Sequence, residues 1–71
     1  MITPGQARDI LYEKYVDAEL AYPGELDIWE NGALLYCFVY DDGGKYRYAY
    51  VNSITGEVKI VDEVENYTGE N

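Results

Sequence analysis

Three turn signals divide residues 26–61 into four short stretches rich in apolar and aromatic residues. The signals are Asn31-Gly32, Asp41 to Gly44, and Asn52 to Gly56. Asn-Gly between two apolar runs is the strongest short-range indication of a β-hairpin, because both residues tolerate the positive φ of a type I′ turn. Within the stretches, the character of the side chains alternates from one residue to the next, and this period of two is typical of strands. We therefore expect consecutive hairpins that form an antiparallel sheet in the order 1-2-3-4.

A helix is expected ahead of these strands. Thr3, Pro4 and Gln6 have the spacing of a capping box with proline at the first helical position. Apolar residues then recur at helical spacing, which predicts a helix from about Pro4 to about Val16. The expected strands are Leu26 to Trp29, Ala33 to Tyr40, Tyr46 to Val51 and Glu57 to Val61. The expected fold class is α+β, with residues 1–62 as one domain and residues 63–71 as a flexible acidic tail.

Size and charge exclude several classes of function. A chain of 71 residues makes one domain with a small core. Its net charge of −9, from 5 Lys and Arg against 14 Asp and Glu, argues against direct nucleic-acid binding and against docking on anionic membranes. With no His and one Cys, the chain lacks the usual general base and any Cys-based zinc site or internal disulfide. We expect a non-enzymatic protein with no cofactor and no metal.

The sequence also bears on where the protein resides. No apolar run approaches the roughly 20 residues that a membrane-spanning helix requires. Residues 1–15 lack the apolar segment of a secretory signal. These two features predict a cytoplasmic protein, or one outside the cytoplasm if a leader has been removed.

Turn lengths predict the register of the sheet and the composition of its two faces. The two-residue Asn31-Gly32 loop pairs Ile28 with Leu35, and a five-residue connection from Asp41 to Lys45 pairs Cys37 with Ala49. A four-residue turn pairs Val51 with Val58. Because side chains alternate along a strand, one face is then aliphatic and is expected to lie beneath the helix. It collects Leu26, Ile28, Leu35, Cys37, Val39, Ala49, Val51, Val58 and Ile60. The other face collects Trp29, Leu34, Tyr36, Phe38, Tyr40, Tyr46, Tyr48 and Tyr50.

This aromatic face is the principal candidate site, because one helix covers only one side of a sheet. Large exposed apolar patches are rare on monomers, and Tyr and Trp are enriched at the energetic centres of interfaces. The predicted protein-binding residues are Trp29, Tyr36, Phe38, Tyr40, Tyr46, Tyr48 and Tyr50. Two other interpretations stay open. The tyrosines could simply tolerate water on a half-exposed sheet, or the helix could cover this face instead, with Tyr12 and Tyr15 packing there.

Three segments resemble the PepSY domain. They are Ile2 to Ala7, Leu34 to Val39, and Tyr50 to Val58, the last similar to the family's strand and Thr-Gly-Glu-Val turn. Asn52 stands where the family usually has Asp. The resemblance implies a regulatory or inhibitory module with no catalytic residues, some members of which lie in the propeptides of secreted peptidases. The implied partner is a peptidase, and the usual location is outside the cytoplasm.

A different class of function follows from the charge. A small protein at −9 could be an acidic mimic of nucleic acid that blocks a basic protein. Phage-encoded inhibitors of host nucleases, including anti-CRISPR proteins, are often of this size and sign. The acids that would form such a surface lie near turns and strand ends: Glu25, Asp27, Glu30, Asp41, Asp42, Glu57, Asp62 and Glu63. The partner would then be a basic protein, whereas the partner at the aromatic face would be a peptidase, as the resemblance implies, or a second copy in a homodimer. Cys37 is expected to be a buried core residue, and Asp41 to Gly44 a turn rather than a cation site.

Overall fold

The fold is α+β, as the sequence predicts. A computed structural model describes residues 1–15 and 19–62 of the chain. The described residues form one helix, α1 (Pro4–Lys14), and four strands, which are β1 (Ile28–Glu30), β2 (Ala33–Asp42), β3 (Lys45–Asn52) and β4 (Val58–Asp62). The strands form an antiparallel sheet in the order β1-β2-β3-β4. The tail expected at residues 63–71 and the end of the helix expected at Val16 lie outside the described residues.

The helix begins with the capping box that its sequence predicts. The Gln6 backbone N–H donates to Thr3 Oγ1 at 3.2 Å, and the Thr3 N–H donates to Gln6 Oε1 at 2.8 Å. These bonds satisfy donors that have no partner inside the first turn of a helix. Ala7 and Leu11 are the buried residues of α1. Their spacing of four places both on the one helix face that contacts the sheet.

Two of the three predicted registers are confirmed. Asn31 and Gly32 have φ values of 52° and 81°, and the hairpin they close pairs Ile28 with Leu35. Positive φ at both central residues is the signature of a type I′ turn, whose twist matches that of the strands. At the other hairpin, β3 and β4 pair Val51 with Val58.

The predicted register between β2 and β3 is wrong by one residue. The connection is not five residues long. It consists of Gly43 and Gly44, with φ values of 65° and 92°, between the paired residues Asp42 and Lys45. Asp42 also forms an ion pair with Arg47, in which Asp42 Oδ2 lies 2.7 Å from Arg47 Nε. This pair supports the extended ends of both strands. As a result Phe38, not Cys37, lies opposite Ala49.

A shift of one residue exchanges the faces of β2 relative to β3, since side chains alternate. The predicted aromatic face therefore does not exist as one surface. Tyr36, Phe38 and Tyr40 are buried against Ala7, Leu11, Ala49 and Val51 in the core beneath α1. The helix thus covers the aromatic residues of β2, as the third sequence interpretation allows. Tyr12 and Tyr15, which that interpretation places against the sheet, are exposed.

Hydrogen bonds join the start of the chain to the sheet. The Ile2 N–H donates to the Ser53 carbonyl at 2.8 Å, and the Tyr36 hydroxyl donates to the Ile2 carbonyl at 2.7 Å. The Tyr36 bond gives a buried phenol its polar partner, as burial of a hydroxyl requires. These contacts place α1 over the centre of the sheet and leave the opposite face without it.

The segment before β1 closes the remaining edge of β2. Ala21 forms an isolated antiparallel bridge with Val39, with both N–H to carbonyl distances at 2.9 Å. Tyr22 packs on the core, and its ring centroid lies 5.0 Å from that of Phe38. The Tyr22 hydroxyl donates to Asp27 Oδ2. Burial, together with the hydrogen bond and the charge of Asp27, raises the pKa of Tyr22 to about 12.

The raised pKa of Tyr22 predicts a loss of stability at alkaline pH. A group whose pKa is higher in the folded chain stabilises the fold below its unfolded value of about 10, and this contribution disappears as the pH rises from about 10 towards 12. Two pKa units correspond to ~2.7 kcal/mol. Because Tyr22 is only partly buried, we expect its contribution to the free energy of unfolding to be about 1–2 kcal/mol. In urea unfolding measured from pH 8 to pH 11, the free energy of unfolding of Tyr22→Phe should not show this fall at alkaline pH. Tyr46→Phe, at an exposed ring, is the matched control, and an equally steep loss in Tyr22→Phe would contradict the assignment.

Candidate functional site

The face of the sheet opposite α1 is the candidate functional site, and we call it the open face. Among the described residues, no helix or strand packs against it. The register places on this face the side chains of Ile28, Leu35, Cys37, Val39, Tyr46, Tyr48, Tyr50, Lys59 and Val61. It is therefore an aliphatic and aromatic surface that also carries the ammonium group of Lys59 and, by the same register, the carboxylates of Glu30 and Asp41.

Three tyrosines of β3 follow one another along the open face because they are spaced by two residues. Tyr46 is 57% exposed, whereas Tyr48 and Tyr50 are half-buried. The rings of Tyr48 and Tyr50 contact edge to face, with centroids 6.2 Å apart and planes at 87°. Beside them on β2, Cys37 lies opposite Tyr50 and is fully buried. The surface is thus a row of aromatic rings beside a strip of small and aliphatic side chains.

The seven predicted binding residues do not lie together. Tyr46, Tyr48 and Tyr50 are on the open face, but Tyr36, Phe38 and Tyr40 are in the core and offer no surface to a partner in the folded chain. Trp29 is 70% exposed and lies in the edge strand β1, on the side of the sheet that carries α1. The binding role of the exposed residues stays a prediction.

Sequence reasoning missed the members of the open face that β2 contributes. Leu35, Cys37 and Val39 were expected beneath the helix. The signal that places them correctly is the Gly43-Gly44 pair, since two consecutive glycines suit a two-residue type I′ turn as well as Asn-Gly does. That turn length alone restores the observed register.

A groove lies at the end of the sheet where the β1–β2 and β3–β4 turns lie, and residues of the open face line it together with Tyr15 and Val58 from the side that carries α1. We call it the end groove. Its volume is about 610 Å³, and its lining includes Tyr15, Glu30, Leu35, Tyr50, Glu57 and Lys59. Leu35 and Tyr50 supply apolar surface, and the two carboxylates come from β1 and from the residue before β4. Sequence analysis singled out Glu30 and Glu57 as acids near turns, but not as parts of one concavity.

The charged groups of the end groove are not neutralised by one another. Arg47 and Asp42 form the ion pair seen within residues 1–15 and 19–62, and they lie at the opposite end of the sheet. Glu30, Glu57 and Lys59 take part in no ion pair with other described residues. The described lining of the end groove therefore presents two carboxylates and one ammonium group to a ligand.

The described residues offer little for metal or nucleophilic chemistry. No group of His, Cys, Asp and Glu in this part of the chain could hold a metal ion. The carboxylate of Asp27 is engaged by the Tyr22 hydroxyl and the Cys37 N–H. Cys37 itself is fully buried, where a thiol behaves as a small hydrophobic side chain. In the portion of the chain that the structure describes, no helix has the length and apolar character to cross a membrane.

Comparison with known proteins adds no family to these observations. No family model matches the chain, no curated protein matches it, and no solved structure matches its fold. The resemblance to the PepSY domain accordingly stays a prediction from three short segments. Function has to be inferred from the open face and the end groove.

Proposed function

We propose that this chain is a non-enzymatic protein-binding module that contacts its partner through the open face. The observation that carries the proposal is the row of Tyr46, Tyr48 and Tyr50 along β3, on a face that no described helix or strand covers. Tyr is suited to this role because its ring buries a large area while its hydroxyl keeps a polar partner. A peptidase, as in proteins with PepSY domains, or a second copy of the chain is the partner class that the sequence suggests.

The packing of the tyrosines favours binding energetically. The edge-to-face contact between Tyr48 and Tyr50 restricts both rings before a partner arrives. Ordering a side chain on association costs about 0.5–1.5 kcal/mol, so rings that are already restrained lose less entropy. Val39, opposite Tyr48, extends the apolar surface across β2, and Ile28, opposite Leu35 on β1, is 42% exposed. The open face thus combines aromatic anchors with an aliphatic surround, as the centres of interfaces do.

Position-specific photo-crosslinking tests this proposal. A benzophenone amino acid is placed at Tyr46, at Tyr48 and, as the matched control, at Tyr12, an exposed tyrosine on α1. We expect the same adduct from positions 46 and 48 in the native cells, and none from position 12. An adduct of twice the chain's mass identifies a second copy as the partner and supports the proposal. Equal labelling from position 12, or no adduct from positions 46 and 48, would overturn it.

The acidic mimic is a second candidate, and the unneutralised charge favours it. Of the acids whose side chains the structure describes, Asp42 is the one seen in an ion pair, so the others are not neutralised by an ion pair within this part of the chain. Salt separates the two candidates, because contacts between exposed charges are screened over about 8 Å at physiological ionic strength. Affinity for the crosslinked partner that falls more than about a hundredfold between 50 and 500 mM salt would favour the mimic. A change below about tenfold would favour the open face.

A further inference from the structure

We propose that the end groove binds the cationic side chain of an arginine or lysine carried by the partner protein. This inference rests on the proposed function, since Leu35, Tyr50 and Lys59 of the open face line the groove. It specifies the chemistry of one contact that the partner must supply. The groove volume of about 610 Å³ exceeds one side chain and leaves room for the backbone that presents it.

Charge complementarity selects a cation for the groove. Glu30 and Glu57 both line it, and neither is held in an ion pair within the described part of the chain. Among the described residues of the lining, two carboxylates against the single ammonium of Lys59 give a net negative charge. The net charge of −9 adds a longer-range field of the same sign, which concentrates cations near a concave surface.

The apolar part of the lining suits the stem of an arginine or lysine. Such side chains bury their methylene groups on apolar surface while the charged head stays near polar groups. Leu35, which is buried, and Tyr50, which is half-buried, both line the groove. Tyr15, at the end of α1, is 55% exposed and adds a second ring. A guanidinium or ammonium over a tyrosine ring gains about 0.5–1 kcal/mol at exposed sites.

Lys59 makes the sign of the occupant testable. Its side chain projects on the open face opposite Tyr50, so it lies in the same lining as the two carboxylates. A cationic guest is repelled by Lys59 and attracted by Glu30 and Glu57, whereas an anionic guest has the opposite preferences. Removal of charge at Lys59 and at Glu57 must therefore change the affinity of a cationic probe in opposite directions.

The experiment uses two peptides and four variants of the full chain. The probes are acetyl-Gly-Arg-Gly-amide and its neutral analogue acetyl-Gly-Gln-Gly-amide, titrated at low salt and followed by amide chemical shifts. We expect shifts centred on the groove with the arginine peptide only. Glu30→Gln and Glu57→Gln should each raise its Kd by about threefold to tenfold, and Lys59→Gln should lower it by about twofold to fivefold. Glu13→Gln, which removes the same charge from the exposed side of α1, should change the Kd by less than about twofold.

Several results would overturn the inference. An equal loss of affinity in Glu13→Gln and Glu57→Gln would mean that the peptide responds to net charge alone. Weaker binding in Lys59→Gln would mean that the groove prefers an anion. Absence of shifts at the groove, with the crosslinks at positions 46 and 48 intact, would reject the cation site and leave the protein-binding module standing. Loss of those crosslinks would reject the module whether or not the arginine peptide binds.

Discussion

Phe38→Ala is expected to unfold most of the protein at 25 °C. Phe38 is fully buried at the centre of β2, opposite Ala49 and in contact with the ring of Tyr22. Truncating a buried phenylalanine to alanine costs about 3–5 kcal/mol, because apolar contacts are lost and a cavity remains. A domain of this size has a total stability of only about 3–5 kcal/mol, so little folded protein should be left.

Urea unfolding followed by circular dichroism measures this effect against a matched control. Tyr46→Ala removes an aromatic ring from the neighbouring strand, but that ring is 57% exposed, and the expected cost is below about 1 kcal/mol. Phe38→Leu, which keeps most of the apolar volume, should retain a cooperative transition. If Phe38→Ala costs no more than Tyr46→Ala, the two side chains share one solvent-facing surface. That result would favour the five-residue β2–β3 connection over the observed two-residue turn.

The sequence predicts most of the fold because its local signals are independent of tertiary contacts. The Thr3–Gln6 capping box starts the helix, and the Asn31-Gly32 turn fixes one register by backbone geometry alone. The Asp41 to Gly44 stretch is harder to interpret, because Asp is disfavoured in strands and common in loops. In the folded chain Asp41 accepts the Gly44 N–H at 2.9 Å and Asp42 pairs with Arg47, so both acids belong to the strand ends. The Arg47 contact lies five residues away and crosses the turn, which composition does not reveal.

The candidate site is less predictable than the fold. Which residues share a face depends on whether the β2–β3 turn has an odd or an even number of residues. A change of one residue in the β2–β3 register exchanges Tyr36 and Phe38 with Leu35 and Cys37 on each face. Both sets are apolar, so hydrophobicity gives no preference for one face. The tyrosines of β3 keep their place opposite the helix once β2 is corrected, and they remain the predicted anchors. The end groove depends on the three-dimensional meeting of two turns and the end of α1, which no single stretch of sequence encodes.

Asp27→Ala is expected to destabilise the fold by about 2–3 kcal/mol, through the edge of β2. β1 pairs with β2 up to Leu35, and Ala21 pairs with Val39, so the Cys37 N–H lies between these two pairings. Asp27 Oδ1 accepts that N–H at 2.9 Å, and its Oδ2 accepts the Tyr22 hydroxyl. One carboxylate therefore replaces the missing strand contact and holds the segment before β1. Truncation removes the acceptor of two partly buried donors at once, which costs more than a single lost hydrogen bond.

Three further variants separate this role from a general effect of charge. Glu25→Ala removes an exposed acid two residues away and should cost less than about 0.5 kcal/mol. Asp27→Asn keeps an acceptor for Cys37 and should cost about 1 kcal/mol, less than alanine does. In the double variant with Tyr22→Phe, the phenol that Asp27→Ala leaves without its acceptor is gone, so the two costs should fall short of additivity by about 1 kcal/mol. In Asp27→Ala, hydrogen exchange should become faster at the Cys37 amide, and it should change less at the Ala49 amide. Uniformly faster exchange with additive costs would show that Asp27 acts by charge and not as the acceptor that completes the edge of β2.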